Sequence, residues 1–434
     1  MSTVSVQSIL DKIQAEGIRA ALDSISDADA IRITEEYGTH NYHPLPVNIR
    51  RGDGIYVYDG DDNEYIDCIG SYSAVAHGHL SQDVIEALTH QLEHLTLTSR
   101  AVYTTELALF LEVLCEFTNT EMACPMNTGA EAVETAIKLG RKWAYTVKKV
   151  ETDKAEIIAA TDNFHGRTTT IVGFSTEAQY KENFGPFTPG FKVVEFGDIN
   201  ALKNAITENT AAVLLEPIQA EGGIIIPPDG YLKAVRDLCT ANNVLLIWDE
   251  IQTGFARTGK DFAWQHEDAE PDMMCLGKAL GGGVYPVSAV VGKRAVMQTF
   301  KPGDHGSTFG GNPLAAVVGI AAMASMREEN LAGRSERLGK RLVDGLLPLL
   351  SPARGGGGGV ESPVEDIRGR GLLVGLEVKE GVDTKALTQA FLDQRILTKE
   401  TRSRTFRFAP PLTITEAQID EIIARTAKAL QAVS

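Results

Sequence analysis

Two rhythms of apolar residues alternate along the middle of this chain. Short, mainly apolar runs recur at Ala155–Ala160, Lys192–Phe196, Ala211–Leu215, Val244–Trp248 and Ser288–Val291. The stretches between them carry apolar residues at helical spacing. A strand that is apolar on both sides needs cover on both sides. The alternation therefore predicts an α/β domain, a mostly parallel sheet flanked by helices, over residues 72–329. A helix over Leu314–Met326 leads out of it.

The pattern changes after about Asn330. A helical stretch over Leu331–Leu350 precedes five successive glycines, Gly355–Gly359. A strand at Leu372–Val378, a helix near Lys385–Gln394, a strand at Phe406–Phe408 and a closing helix follow. No strand enters the glycines and no helix opens from them, so they read as a loop insertion rather than a phosphate cradle. At the other end, a short helix reaching about Ile33 sets Ile9, Leu10, Ile13 and Ile18 partly on one face, as packing or a dimer arm. Gly54–Asp67 alternates apolar and polar residues about a Gly/Asp turn, which predicts a β-hairpin. The expected organisation is a large domain, 72–329, and a smaller α+β domain formed by the segments 1–71 and 330–434.

Composition narrows the partners. The 434 residues carry 41 Lys plus Arg against 58 Asp plus Glu, a net charge of −17, which argues against nucleic acid or an anionic membrane as partner. No apolar run approaches the ~20 residues of a membrane span. Five cysteines lie far apart without a CxxC pair, as reduced core residues rather than a disulfide or metal framework, and no metal site is expected. The acidic first 40 residues fit neither a secretory signal nor a transit peptide, which predicts a cytoplasmic protein.

The candidate chemistry sits at strand ends. Asp249 closes the run Val244–Trp248, and Lys278 follows Met273–Gly277. A carboxylate that can keep a pyridine nitrogen protonated and a lysine that can bond an aldehyde are the two groups a pyridoxal phosphate (PLP) enzyme requires. Three further segments supply polar groups. Met126–Ala132 opens an amphipathic helix with small residues; it suits a phosphate at a helix terminus, or is a plain Thr or Asn cap. Asn163–Thr168 offers Phe164 as a flat cover and Arg167 as a carboxylate grip, or a core Phe beside a surface Arg; His165 reads as structural. His305–Pro313, rich in hydroxyls and glycine, offers phosphate donors or a tight turn.

Taken with these segments, Asp249–Gly254, Leu276–Gly283 and His305–Pro313 make the chain resemble the class III, PLP-dependent aminotransferases. Further stretches place the resemblance in the ornithine-acting branch of that class, over nearly the whole length. They are His40–Val47, Ser71–Val75, Leu95–Arg100, Phe184–Phe187, Glu216–Gln219 and Arg407–Leu412. The resemblance implies the fold-type-I architecture, PLP as cofactor, and a homodimer with shared active sites that could pair into a higher oligomer. Lys278 would bond the cofactor and shuttle a proton, Asp249 would pair with the pyridinium, and Gln252 would reach the ring hydroxyl. Phe164 and Ile251 would sandwich the ring. Thr128, Gly129 and Ala130 would hold the phosphate, with Ser307 and Thr308 arriving from a neighbouring subunit.

The implied reaction moves the δ-amino group of ornithine to 2-oxoglutarate, giving glutamate and a semialdehyde that cyclises to pyrroline-5-carboxylate. One pocket must then accept a carbon without a carboxylate and a carbon bearing one. An unpaired arginine would suit only the second. By resemblance, Glu221 pairs with Arg407 for the amine and releases it for the keto acid, Arg167 takes the distal carboxylate, and Tyr42 and Tyr72 shape the α-amino end. Departures from the family pattern fall at Ala220, Gly222, Trp248, Ala76–Gln82 and Arg402. Competing readings are an ω-aminotransferase for acetylornithine, 4-aminobutyrate or lysine, a PLP-dependent epimerase, and a silent PLP-binding protein.

Overall fold

The computed structural model describes residues 5–350, 362–402 and 404–433; the glycine run Gly355–Gly359 lies outside the described residues. Its centre is a seven-stranded sheet. In spatial order the strands are Met122–Met126, Ser288–Gly292, Met273–Leu276, Leu245–Asp249, Thr210–Leu215, Glu156–Ala160 and Phe191–Val194. Ser288–Gly292 runs antiparallel to both neighbours, and the remaining pairings are parallel. The mostly parallel sheet expected from the apolar runs is present.

Every residue of Thr210–Leu215, Leu245–Asp249, Met273–Leu276 and Ser288–Gly292 is buried. The reason is visible in the two cores. Val213, Leu215, Leu246 and Trp248 enter one, with Val235 of helix Tyr231–Ala241 and Val318 of helix Pro313–Glu328. Ala212, Leu214, Leu245 and Ile247 enter the other, with Ala132, Val133 and Ala136 of helix Gly129–Trp143. Side chains alternate across a strand, so a strand covered twice is apolar throughout. The parallel strands end together on one edge, where ligands bind in open sheets of this kind.

Two smaller sheets flank the centre. Ile49–Asp53, Tyr56–Asp59 and Glu64–Asp67 form an antiparallel meander that includes the expected hairpin. Ile396–Leu397 joins it in parallel with Glu64–Asp67, so segments from the two ends of the chain share one sheet. The second comprises Val364–Arg370, Leu373–Val378, Thr405–Phe408 and Glu400–Thr401, all antiparallel. Helices Leu331–Leu346 and Glu416–Gln431 contribute Leu338, Leu342, Ile419 and Ile422 to the core beneath it.

Two features differ from expectation. The N-terminal stretch is three helices, Val6–Glu16, Ile18–Asp23 and Asp27–Tyr37, rather than one. Gly17, at φ +89, breaks the first, and the Ser26 hydroxyl caps the third by accepting from Asp29 N at 3.1 Å. Strand Val364–Arg370 was not expected, because VEDIRGR is mostly polar and only Val364 and Ile367 are buried. Among the described residues no helix is long and apolar enough to cross a membrane.

Candidate active site

Asp249 is the last residue of its strand, and Lys278 lies two residues beyond the end of the adjacent one. Both line a cavity of about 210 Å3 on the carboxyl edge of the sheet, with Phe164, Ile251, Gln252, Gly129 and Ala130. The Asp249 carboxylate is fixed at both oxygens: Oδ1 accepts from Ile251 N at 3.1 Å, and Oδ2 lies 2.7 Å from His165 Nδ1. Burial pulls the His165 imidazole down, yet the bond to Asp249 and its charge outweigh this, and the net displacement is upward. His165, read as structural from the sequence, is thus the residue that orients the acid.

Lys278 is largely but not fully buried, and its backbone holds φ +45. No hydrogen-bond acceptor is recorded for its amine among the described residues. Burial lowers that amine to about 8, against the opposing pull of Glu221.

Phe164 and Ile251 both line the cavity. Phe164 N donates to Glu216 Oε2 at 3.0 Å, and burial pushes the Glu216 carboxyl up to about 7. Glu216 follows the fully buried strand Thr210–Leu215 as Asp249 ends its own apolar run. That position was the signal for its place in the cavity.

At helix Gly129–Trp143 the Thr128 hydroxyl is occupied by a capping box. Oγ1 accepts from Glu131 N at 3.3 Å, and Glu131 Oε2 accepts from Thr128 N at 2.8 Å. The first-turn N–H groups left for an anion are those of Gly129 and Ala130. A Cβ on Gly129 would stand 3.1 Å from Ile251 Cδ1, so glycine keeps the backbone close to the cavity. An uncommitted amine, an oriented acid and the two free first-turn N–H groups match the aldehyde, ring nitrogen and phosphate of PLP.

The substrate end is a network. Arg407 Nη1 pairs with Glu221 Oε1 and also donates to Gln252 Oε1 at 3.1 Å. Gln252 Nε2 donates to Glu221 Oε1 at 3.4 Å. The Gln252 amide thus touches both members of the ion pair, and its residue also lines the Lys278 cavity. Burial would raise Glu221, but Arg407 and Lys278 together hold it below the usual carboxylate range. The Arg407 guanidinium carbon lies 5.0 Å from the Tyr72 ring centre. Burial raises the Tyr72 phenol, with Tyr42 and Glu221 adding to it, which places Tyr42 at the same mouth. Tyr42 itself is 70% exposed.

Arg167 stacks on Tyr180, 4.0 Å from the ring centre, and among the described residues has no carboxylate partner. Ser307 and Thr308 do not line the Lys278 cavity. They border another with Leu97–Arg100, and Ser307 Oγ accepts from Asn127 Nδ2 at 2.9 Å.

The departures have structural roles. Arg402 pairs with Glu177 and, at 2.9 Å, with Asp162. Trp248 points into the core on one face and donates from Nε1 to Ala269 O at 2.8 Å. Ala220 packs with Leu373 and Ala409.

A lysine and a carboxylate placed in this way on this sheet fit a PLP-dependent enzyme, and the family match makes it an aminotransferase. The model of the aminotransferase class-III family matches residues 37–430, and the chain belongs to that family. It is 49% identical to ornithine aminotransferase of Brevibacillus brevis over 400 residues, covering 92% of this chain and 97% of that protein. A second ornithine aminotransferase, from Exiguobacterium sp., is also 49% identical, covering 91% of this chain and 95% of its own. Among solved structures, the ornithine aminotransferase from Toxoplasma gondii ME49 matches with TM-score 0.92 and 42% identity, covering 97% of this chain and 98% of that one. Acetylornithine aminotransferase from Elizabethkingia anophelis matches with TM-score 0.83 and 39% identity, covering 94% and 99%.

Proposed function

We propose that this enzyme transfers the δ-amino group of ornithine to 2-oxoglutarate, yielding glutamate and glutamate 5-semialdehyde, which cyclises to pyrroline-5-carboxylate. The observation that carries this reading is the Glu221–Arg407 pair, bridged by Gln252, which lines the same cavity as Lys278. With the pair closed, the carbon facing Lys278 meets no bare guanidinium, as a terminal amine requires. With Glu221 turned away, Arg407 is free to grip a carboxylate on that carbon.

Bound in the cavity, PLP supplies an aldehyde to accept the amino group and a pyridinium to draw electron density from the reacting carbon. Lys278 Nζ would carry the proton from the δ-carbon to the cofactor, and burial keeps that amine neutral closer to physiological pH than an exposed lysine. Asp249, oriented by His165 and Ile251 N, holds the proton on the ring nitrogen. Gly129 and Ala130 N–H bind the phosphate, Phe164 and Ile251 flank the ring, and Arg167 meets the distal carboxylate. Tyr42 and Tyr72 contact the α-amino end of ornithine.

Ser307 and Thr308 lie away from Lys278 of their own chain, which supports a homodimer in which they complete the neighbour's phosphate site. The five cysteines are unpaired, which supports a cytoplasmic location.

The test is the yellow enzyme mixed with ornithine alone. The expected result is loss of the visible band and one equivalent of trapped pyrroline-5-carboxylate. Silence with ornithine and bleaching by acetylornithine would select the second reading, which the 39% identity to an acetylornithine enzyme keeps in play.

A further inference from the structure

Arg257 lies outside the cavity, and no step above uses it. It follows the strand Leu245–Asp249 and is 0% exposed, yet among the described residues no carboxylate pairs with it. Its Nε donates to Ser73 Oγ at 2.8 Å, and its Nη1 donates to Leu372 O at 2.9 Å and Pro410 O at 2.7 Å. Its Nη2 is buried without a partner. A dry guanidinium without a counter-ion is costly to hold, so a compensating use is expected of it.

The three acceptors come from separate parts of the chain that converge on the substrate end. Ser73 follows Tyr72. Pro410 stands just beyond the strand Thr405–Phe408, which carries Arg407. Leu372 precedes the strand Leu373–Val378, whose Gly375 is registered against Arg407.

The Tyr72 turn needs outside support. Gly70, Ser71, Tyr72 and Ser73 hold φ of 53, 44, 59 and 86, a left-handed run in which three of four residues have side chains. L-residues resist that conformation, and such strain persists only where the surroundings over-determine it. Two contacts do so. Arg257 grips Ser73, and the Ala409 carbonyl lies so close under Gly70 that a Cβ there would stand 2.3 Å from it.

We propose that Arg257 is a positioning residue that sets Tyr72 against Arg407, by tying the turn that carries one and the segment after the other to a single buried cation. This rests on the Glu221–Arg407 reading of the site. The two backbones stay fixed while Glu221 leaves and returns, so the switch is confined to side chains. The spacing of Tyr72 from Arg407 then sets how each substrate is held at Lys278.

A double-mutant cycle tests this, with Arg257→Lys, Tyr72→Ala and the double variant, each as PLP-loaded enzyme. The readouts are kcat/KM for the amine and for the oxo acid, and the visible spectrum of the bound cofactor. The expected result is an unchanged spectrum, KM raised about tenfold for both substrates with kcat less affected, and a double variant no worse than Tyr72→Ala alone. Losses that multiply, or a fall in kcat at constant KM, would overturn the proposal. If Arg257→Lys does not fold, Ser73→Ala enters the same cycle, since it removes only the Nε acceptor, and the same criteria decide. Should the wild type refuse ornithine, the ornithine reading falls. The cycle is then run with whichever amine is turned over, and its outcome stands by itself.

Discussion

His165 Nδ1 lies 2.7 Å from Asp249 Oδ2, with both side chains buried at the wall of the cavity. Removing the imidazole leaves a buried carboxylate with one fewer donor. His165→Phe should cost about 1.5–3 kcal/mol at Asp249, seen as a roughly tenfold to hundredfold loss of kcat. The visible band of the bound cofactor should move with it. An unchanged band and rate would remove His165 from the machinery.

Arg407 and Glu221 make opposite predictions for the two half-reactions. Arg407→Ala should lower kcat/KM for 2-oxoglutarate by about 2–5 kcal/mol of binding, and leave ornithine within about tenfold. Glu221→Gln leaves the guanidinium uncompensated and should raise KM for ornithine instead. Separate single-turnover rates with each substrate measure this, and equal losses in both would refute the switch.

Lys278 gives the cofactor-free protein a pH signature. Burial holds its amine at about 8, against an ordinary 10.5. Between those values the unfolded chain binds more protons than the folded one, so this residue makes stability rise with pH across that window. The urea midpoint of the stripped enzyme should rise less steeply in Lys278→Met than in the wild type between pH 8 and 10.5. The same variant should fail to retain a borohydride-fixed pyridoxyl label.

Arg402 joins Asp162 and Glu177, with 27% of its side chain exposed. Pairs so placed are screened and contribute roughly 1 kcal/mol or less. Arg402→Ala should lower the melting temperature slightly at low salt, with the difference vanishing in high salt. Turnover of ornithine should change by less than about threefold. A large, salt-independent fall would mean the pairs hold the Phe164 loop more firmly than their exposure implies.

The local pattern of this chain determined most of the strands of its central sheet and the helices that cover them. All-apolar runs marked the strands covered on both faces, and their ends placed Asp249 and Lys278 at one rim. The motif residues carried the resemblance, including the Glu221–Arg407 partnership, which no spacing would reveal across 186 positions. Tertiary structure alone decided who holds Asp249, because His165 is 84 positions away on another strand's exit loop. It also decided that Gln252 joins the ion pair, that Ile396–Leu397 completes the N-terminal sheet, and that Arg257 gathers Ser73, Leu372 and Pro410. The physical reason is that apolar periodicity records only which side of an element is covered. The order of strands in the sheet, and the chain closures that bring distant polar groups into one dry site, leave no periodic trace in the residues that take part.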